Sequence, residues 1–144
     1  MATYNKFNDF TEQQIIGTHD WDANTFKIML VNSPAPVATN TIKANLTEIS
    51  AGNGYTAGGT ATTITVSGDV PSAGYTTVQG TQVVFTASGG SIGPFQYAVL
   101  YNDTAANKNL VAWWDNTSAV TLNAGDTFTV KFNNATPGTI FTLN

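Results

Sequence analysis

Cysteine is absent from this chain of 144 residues, and so is arginine. The first absence removes disulfides, thiolate metal sites and thiol chemistry, and gives no sign of a disulfide-stapled secreted scaffold. The second leaves five lysines against nine carboxylates and a net charge of −4. Such a chain carries no electrostatic footprint for nucleic acid or for anionic membrane. Charge of either sign is scarce, at 10% of residues, against about 25% in ordinary globular domains. Long apolar runs are missing as well. The longest, Tyr97–Tyr101 and Leu110–Trp114, have five residues, where a bilayer-spanning helix needs about 20. The opening Met-Ala-Thr-Tyr-Asn-Lys has no apolar stretch of the kind that marks a signal peptide, and none is expected.

What fills the chain instead is 24 Thr, 15 Asn and 13 Gly. Thr is β-branched and favours strands, while Asn and Gly favour tight turns. With 42% hydrophobic residues and sixteen aromatics the chain can build a core, so disorder is not expected. Its length suits one domain, 1–144.

The pattern along the chain is that of short strands. Thr25–Val31 alternates, with Phe26, Ile28 and Leu30 on one face and Lys27, Met29 and Val31 on the other. Pro34 and Pro36 stop it. Further strands are expected at Ala61–Val66, Gln82–Ala87, Phe95–Tyr101, Leu110–Trp114, Thr117–Leu122, Thr127–Phe132 and Thr139–Leu143. Turn signals such as Ser67-Gly68-Asp69, Asp115-Asn116 and Asn123-Ala124-Gly125-Asp126 separate them. Two short helices are expected in the N-terminal third. One lies within residues 4–16, where Phe7, Phe10 and Gln14 sit at helical spacing. The other follows Asn40-Thr41, with Ile42, Leu46 and Ile49 at i, i+4, i+7. The expected fold is all-β: a two-sheet β-sandwich or jelly roll of about eight strands with one or two short helices.

Four motifs carry chemistry in other settings. Gly89-Gly90-Ser91-Ile92-Gly93 matches the hydrolase pattern G-x-S-x-G, which needs a strand, an elbow, a helix and a later His. Here Pro94 and a strand follow, and the one histidine, His19, comes earlier. Gly52-Asn53-Gly54-Tyr55-Thr56-Ala57 matches a loose dinucleotide fingerprint, but without a strand before it or a helix after it. Asp20, Asp22 and Asn24 have the spacing that opens a calcium loop. Thr25 and Val31 stand where an EF-hand needs Gly and Glu, so a solvated turn competes with an irregular calcium site. Asp103, Asp115 and Asp126 fall in expected turns, where Asp is favoured for backbone reasons. No catalytic residue, metal or cofactor is assigned.

Trp113-Trp114 is more informative. Strand alternation sends Leu110, Ala112 and Trp114 to one face and Val111 and Trp113 to the other. One ring enters the core. The other lies outside, as a protein contact or a sugar-stacking platform beside Tyr101 and Asp103, unless helices or the second sheet bury both.

Five stretches, Tyr4–Phe10, Asn24–Leu30, Ala51–Gly59, Gly89–Asp103 and Trp113–Val130, together resemble a family of small structural proteins of tailed bacteriophages. The relatives look more plainly helical where this chain has Thr11–Gly17. The resemblance implies a virion component without catalytic residues. It would be assembled in the host cytoplasm, and above all would be a capsid decoration (cement) protein that binds the major capsid protein on the outer shell. A carbohydrate- or receptor-binding module of a tail or head fibre is the alternative. Residues 1–24 are the expected docking arm. Phe7, Phe10 and Trp21 within it, with Trp113 and Tyr101, are the expected interface residues. A homotrimer is expected, because one sheet face looks apolar and shell decoration favours threefold sites.

Overall fold

The alternation in Phe26–Val31 feeds two separate cores, and that requirement organises the molecule. In the computed structural model, which describes residues 2–68 and 74–144, Phe26, Ile28 and Leu30 join the larger core while Met29 and Val31 join a smaller one on the opposite face. A strand buried on both faces must lie inside its sheet. This one, β2 (Phe26–Val31), does.

The other elements are β1 (Thr3–Lys6), α1 (Phe10–Ile15), β3 (Thr60–Thr62), β4 (Ile64–Ser67), β5 (Thr76–Gly80), β6 (Val83–Thr86), β7 (Ile92–Asn102), β8 (Leu110–Leu122), β9 (Thr127–Val130) and β10 (Gly138–Leu143), with a 3-10 turn at Lys43–Asn45. They form a five-stranded sheet in the order β1-β8-β7-β2-β3, a three-stranded sheet β10-β5-β4 and a two-stranded ribbon β6-β9. Every strand pair is antiparallel. The larger core joins one face of the five-stranded sheet to Val78, Val83, Phe85, Val130 and Ile140 from the other two. The fold is therefore all-β and sandwich-like, as the composition implies.

Several local expectations are corrected. Residues 3–6 form a strand: Thr3 to Lys6 pair with Asp115 to Ala112 of β8. Only Phe10–Ile15 is helical. Residues 1–24 thus do not stand off as an arm; their described part is built into the sheet and its core. The Ile42–Ile49 helix reduces to the 3-10 turn. The Asn45 carboxamide oxygen accepts the Thr41 and Ile42 N–H groups at 3.0 and 3.2 Å, and Val31 bridges Glu48, which draws the segment into extended pairing. The turn at Asp115-Asn116 is a kink within one 13-residue strand. Asp115 Oδ1 accepts the Thr117 N–H at 2.7 Å while Thr117 takes a φ of 66°, so the chain bulges and continues. The turn expected at Ser67-Gly68-Asp69 reaches Asp69, which lies outside the described residues. β5 carries no sequence signal: its single core residue is Val78, and pairing to β4 and β10 on either side makes it a strand.

A second bulge alters which side chains share a face. Leu100 pairs with Ala112 but Tyr101 pairs with Leu110, so Val111 is the extra residue. Parity reverses there. Leu110 falls in with Trp113, and Val111 with Trp114, contrary to simple alternation.

Candidate functional site

The tryptophan pair straddles the sheet as expected, but neither ring is left outside. Trp114 belongs to the larger core, where Phe132 meets it edge-on at 5.2 Å. Trp113 belongs to the smaller core, covered by Phe7 at 4.5 Å and flanked by Leu46 and Ala38. Phe10 and Trp21 are buried with Phe26, and the Trp21 and Phe26 rings stack at 3.9 Å, only 3° from parallel. Tyr101 is fully buried, and its hydroxyl donates to the Gly58 carbonyl at 2.7 Å. The five residues expected at an interface are therefore core residues of this chain. The apolar sheet face from which a trimer is expected is covered by the chain itself.

The densest set of ionisable groups closes the smaller core. Glu48 Oε1 accepts the Tyr55 hydroxyl at 2.7 Å and the Gly58 N–H at 2.6 Å, and Glu48 Oε2 meets Lys43 Nζ at 2.9 Å. Lys43 Nζ lies 5.6 Å from the Tyr101 ring centroid. Nearby, Asp103 binds Lys27 and Lys108, both at 2.7 Å. Partial burial pushes the Asp103 carboxyl up, but hydrogen bonds from Lys108 and Lys27 outweigh this and hold it below its ordinary value. Burial raises both Tyr55 and Tyr101, with the carboxylates of Glu48 and Asp103 adding to the effect. Each charge here has an opposite partner, so the cluster ties residues 42–59 over the sheet. It also removes Tyr101 and Asp103 from any sugar-stacking role beside Trp113.

The motif segments resolve into turns. Asn53 and Gly54, at φ of 54° and 98°, make the two-residue loop of a miniature hairpin closed by reciprocal Gly52–Tyr55 bonds of 2.8 and 2.9 Å. Asp20 Oδ1 accepts the N–H groups of Asp22 and Ala23, each at 3.1 Å. Asn24 Oδ1 accepts from Asp20 N–H at 3.2 Å and from Asn102 Nδ2 at 2.7 Å. These calcium-spaced oxygens thus hold the polar turn together. Ser91 precedes β7, a strand, where the nucleophile elbow needs a helix.

His19 is enclosed by Phe10, Trp21 and Phe26, with ring centroids 5.6, 6.0 and 5.9 Å away. Its Nδ1 lies 3.3 Å from Asn102 Nδ2, and its Nε2 is buried without a hydrogen-bond partner. Burial lowers its pKa to about 4 despite the opposing charge of Asp9.

Two of the surface depressions adjoin Tyr4 of β1, which ends one sheet, and reach β10, which ends another. A groove of about 570 Å³ runs between β1 and α1 on one bank and β10 on the other, with Phe10 and Phe141 at its base and Tyr4, Ile15 and Leu143 along it. A cleft of about 420 Å³ opens beyond Tyr4, between β7, β8, β9 and β10. Sequence reasoning misses both, because Tyr4 and Leu143 lie at opposite ends of the chain and only the sheet order brings them together. No helix among the described residues is long and apolar enough to cross a membrane. No family model, curated protein or solved structure matches the chain.

Proposed function

We propose that this chain is a phage virion structural protein, a decoration protein that binds the outer capsid surface and stabilises contacts between capsomers. One observation carries the reading: the groove between the end strands β1 and β10. Ile15, Leu143 and Tyr4 along it are 79%, 52% and 43% exposed, and Ile16 beside it is 63% exposed. Apolar side chains gathered on the end of α1 and on two edge strands, on a chain poor in charge, make a surface suited to being covered by protein. An edge strand offers unpaired backbone groups to an added strand, so the major capsid protein would dock there by edge pairing and apolar burial. Many copies on a shell multiply a weak contact through avidity. Threefold positions would seat three copies, and sedimentation of the isolated protein at micromolar concentration tests for the trimer.

The direct test is co-sedimentation with purified undecorated capsids. The wild-type protein is expected to pellet with the shells. Ile15→Asp and Leu143→Asp are expected to stay in the supernatant with an unchanged circular-dichroism spectrum. A wild-type protein that never associates with shells, or aspartate variants that bind as well as wild type, would overturn the reading.

A further inference from the structure

We propose that the cleft beyond Tyr4 is a saccharide-binding site that adjoins the groove assigned to capsid docking and shares Tyr4 with it. Its volume of about 420 Å³ falls within the range of about 300–1,000 Å³ usual for small-ligand sites. Tyr4, 43% exposed, is the aromatic side chain a ligand can reach, and its ring stands edge-on at 5.5 Å to the buried Trp114, which also lines the cleft. Beside these rings, Asn116, Thr129, Lys131 and Asn133 give the lining amides, a hydroxyl and one ammonium group.

This division of chemistry selects the ligand class. A sugar ring has an apolar C–H face that packs on an aromatic surface and a rim of hydroxyls that exchange hydrogen bonds with amides and hydroxyls. A purely apolar ligand would desolvate the polar wall without replacing its hydrogen bonds, which costs free energy for each group. A nucleotide would need several cations or a glycine-rich phosphate loop, and Lys131 is the sole charged residue lining the cleft among the described residues. Among the described residues no carboxylate lines it, which leaves no side chain of that kind to attract a metal ion or repel an acidic sugar.

The backbone also presents the polar wall. Asn133 and Asn134 take consecutive φ values of 50° and 52°, a left-handed conformation that asparagine tolerates better than most residues. The resulting turn after β9 brings both residues into the lining of the cleft. Unlike the Trp113–Tyr101–Asp103 grouping, which is buried and internally paired, Tyr4, Thr129, Lys131 and Asn133 are exposed around the buried Trp114.

The test uses the intact chain on an array of neutral and acidic bacterial-surface and animal-cell oligosaccharides. Each sugar that scores is then titrated in free form while tryptophan emission is followed. Binding is expected for at least one oligosaccharide, with an emission change that Trp114→Phe reduces and Trp21→Phe does not. Thr129→Val and Lys131→Ala lie on an exposed strand end and are expected to weaken binding about tenfold, the loss of one or two hydrogen bonds. Both variants should still bind shells as wild type does, so failure of this proposal and failure of the capsid reading are separately visible. No binding to any glycan, or binding that neither variant weakens, overturns the assignment.

Discussion

The Tyr55 hydroxyl accepts the Leu30 backbone N–H at 3.0 Å, 25 residues away in sequence. β3 covers the edge of β2 only from Phe26 to Ile28, so Leu30 lies beyond the end of its neighbour strand. A side chain completes the ladder there, and the Ile49 N–H completes it from the other direction by donating to the Leu30 carbonyl at 3.1 Å. Tyr55→Phe keeps the ring but leaves the Leu30 amide and one Glu48 interaction unsatisfied in a buried place. The expected loss is about 1–3 kcal/mol of unfolding free energy. Urea denaturation would show this as a lower midpoint with an unchanged slope.

Phe7 is expected to matter more than any exposed residue of the N-terminal segment. It is fully buried and covers Trp113. Phe7→Ala leaves a cavity against that ring and should cost about 3–5 kcal/mol, read by thermal unfolding. Truncation of residues 1–20 removes β1, Phe7 and Phe10 together, and is expected to yield a chain without a cooperative transition. A truncated protein that unfolds like the full chain would return this segment to the status of a separable arm.

Acid should weaken the fold through His19. Its folded pKa of about 4 lies below the ordinary 6.5, so between these values the unfolded state binds more protons. Its contribution is complete above about pH 6.5 and is lost as pH falls through about 4, amounting to at most about 3 kcal/mol. Asp103, held below its ordinary value, contributes in the same direction but in a lower window. Unfolding midpoints measured from pH 7.5 to 4.5 should fall in wild type and run nearly flat in His19→Gln. The two should differ in slope even if the variant begins less stable.

Gly59 and Gly89 give a paired test of backbone fit. Both take positive φ, 75° and 78°. A Cβ on Gly59 would overlap the Ile28 carbonyl oxygen, whereas one on Gly89 would meet nothing within 4 Å. Gly89→Ala should cost only the left-handed strain, about 1–2 kcal/mol. Gly59→Ala must also displace β2, so it should be the more damaging of the two in expression yield and melting temperature. Equal effects would mean that the close approach of Gly59 to β2 is not what this position requires.

The sequence by itself determined the all-β class and the division of β2 into two alternating faces, because composition and a period of two are local properties that no tertiary contact had to supply. It also placed the tryptophans on opposite faces of one strand. The tertiary structure decided the rest. A one-residue bulge at Val111 reversed which neighbours share a face, since the side-chain period of a strand is two and an inserted residue shifts everything beyond it. Pairing on both sides made a strand of Thr76–Gly80, and drew Ile42–Ile49 away from a helix its spacing would have suited. Strand formation depends on what lies alongside more than on the residues themselves. The same dependence fixed the candidate sites: Phe7 covers Trp113, and Tyr4 and Leu143 line one groove, only because the first strand pairs with the eighth and the last strand closes the opposing sheet on the same side.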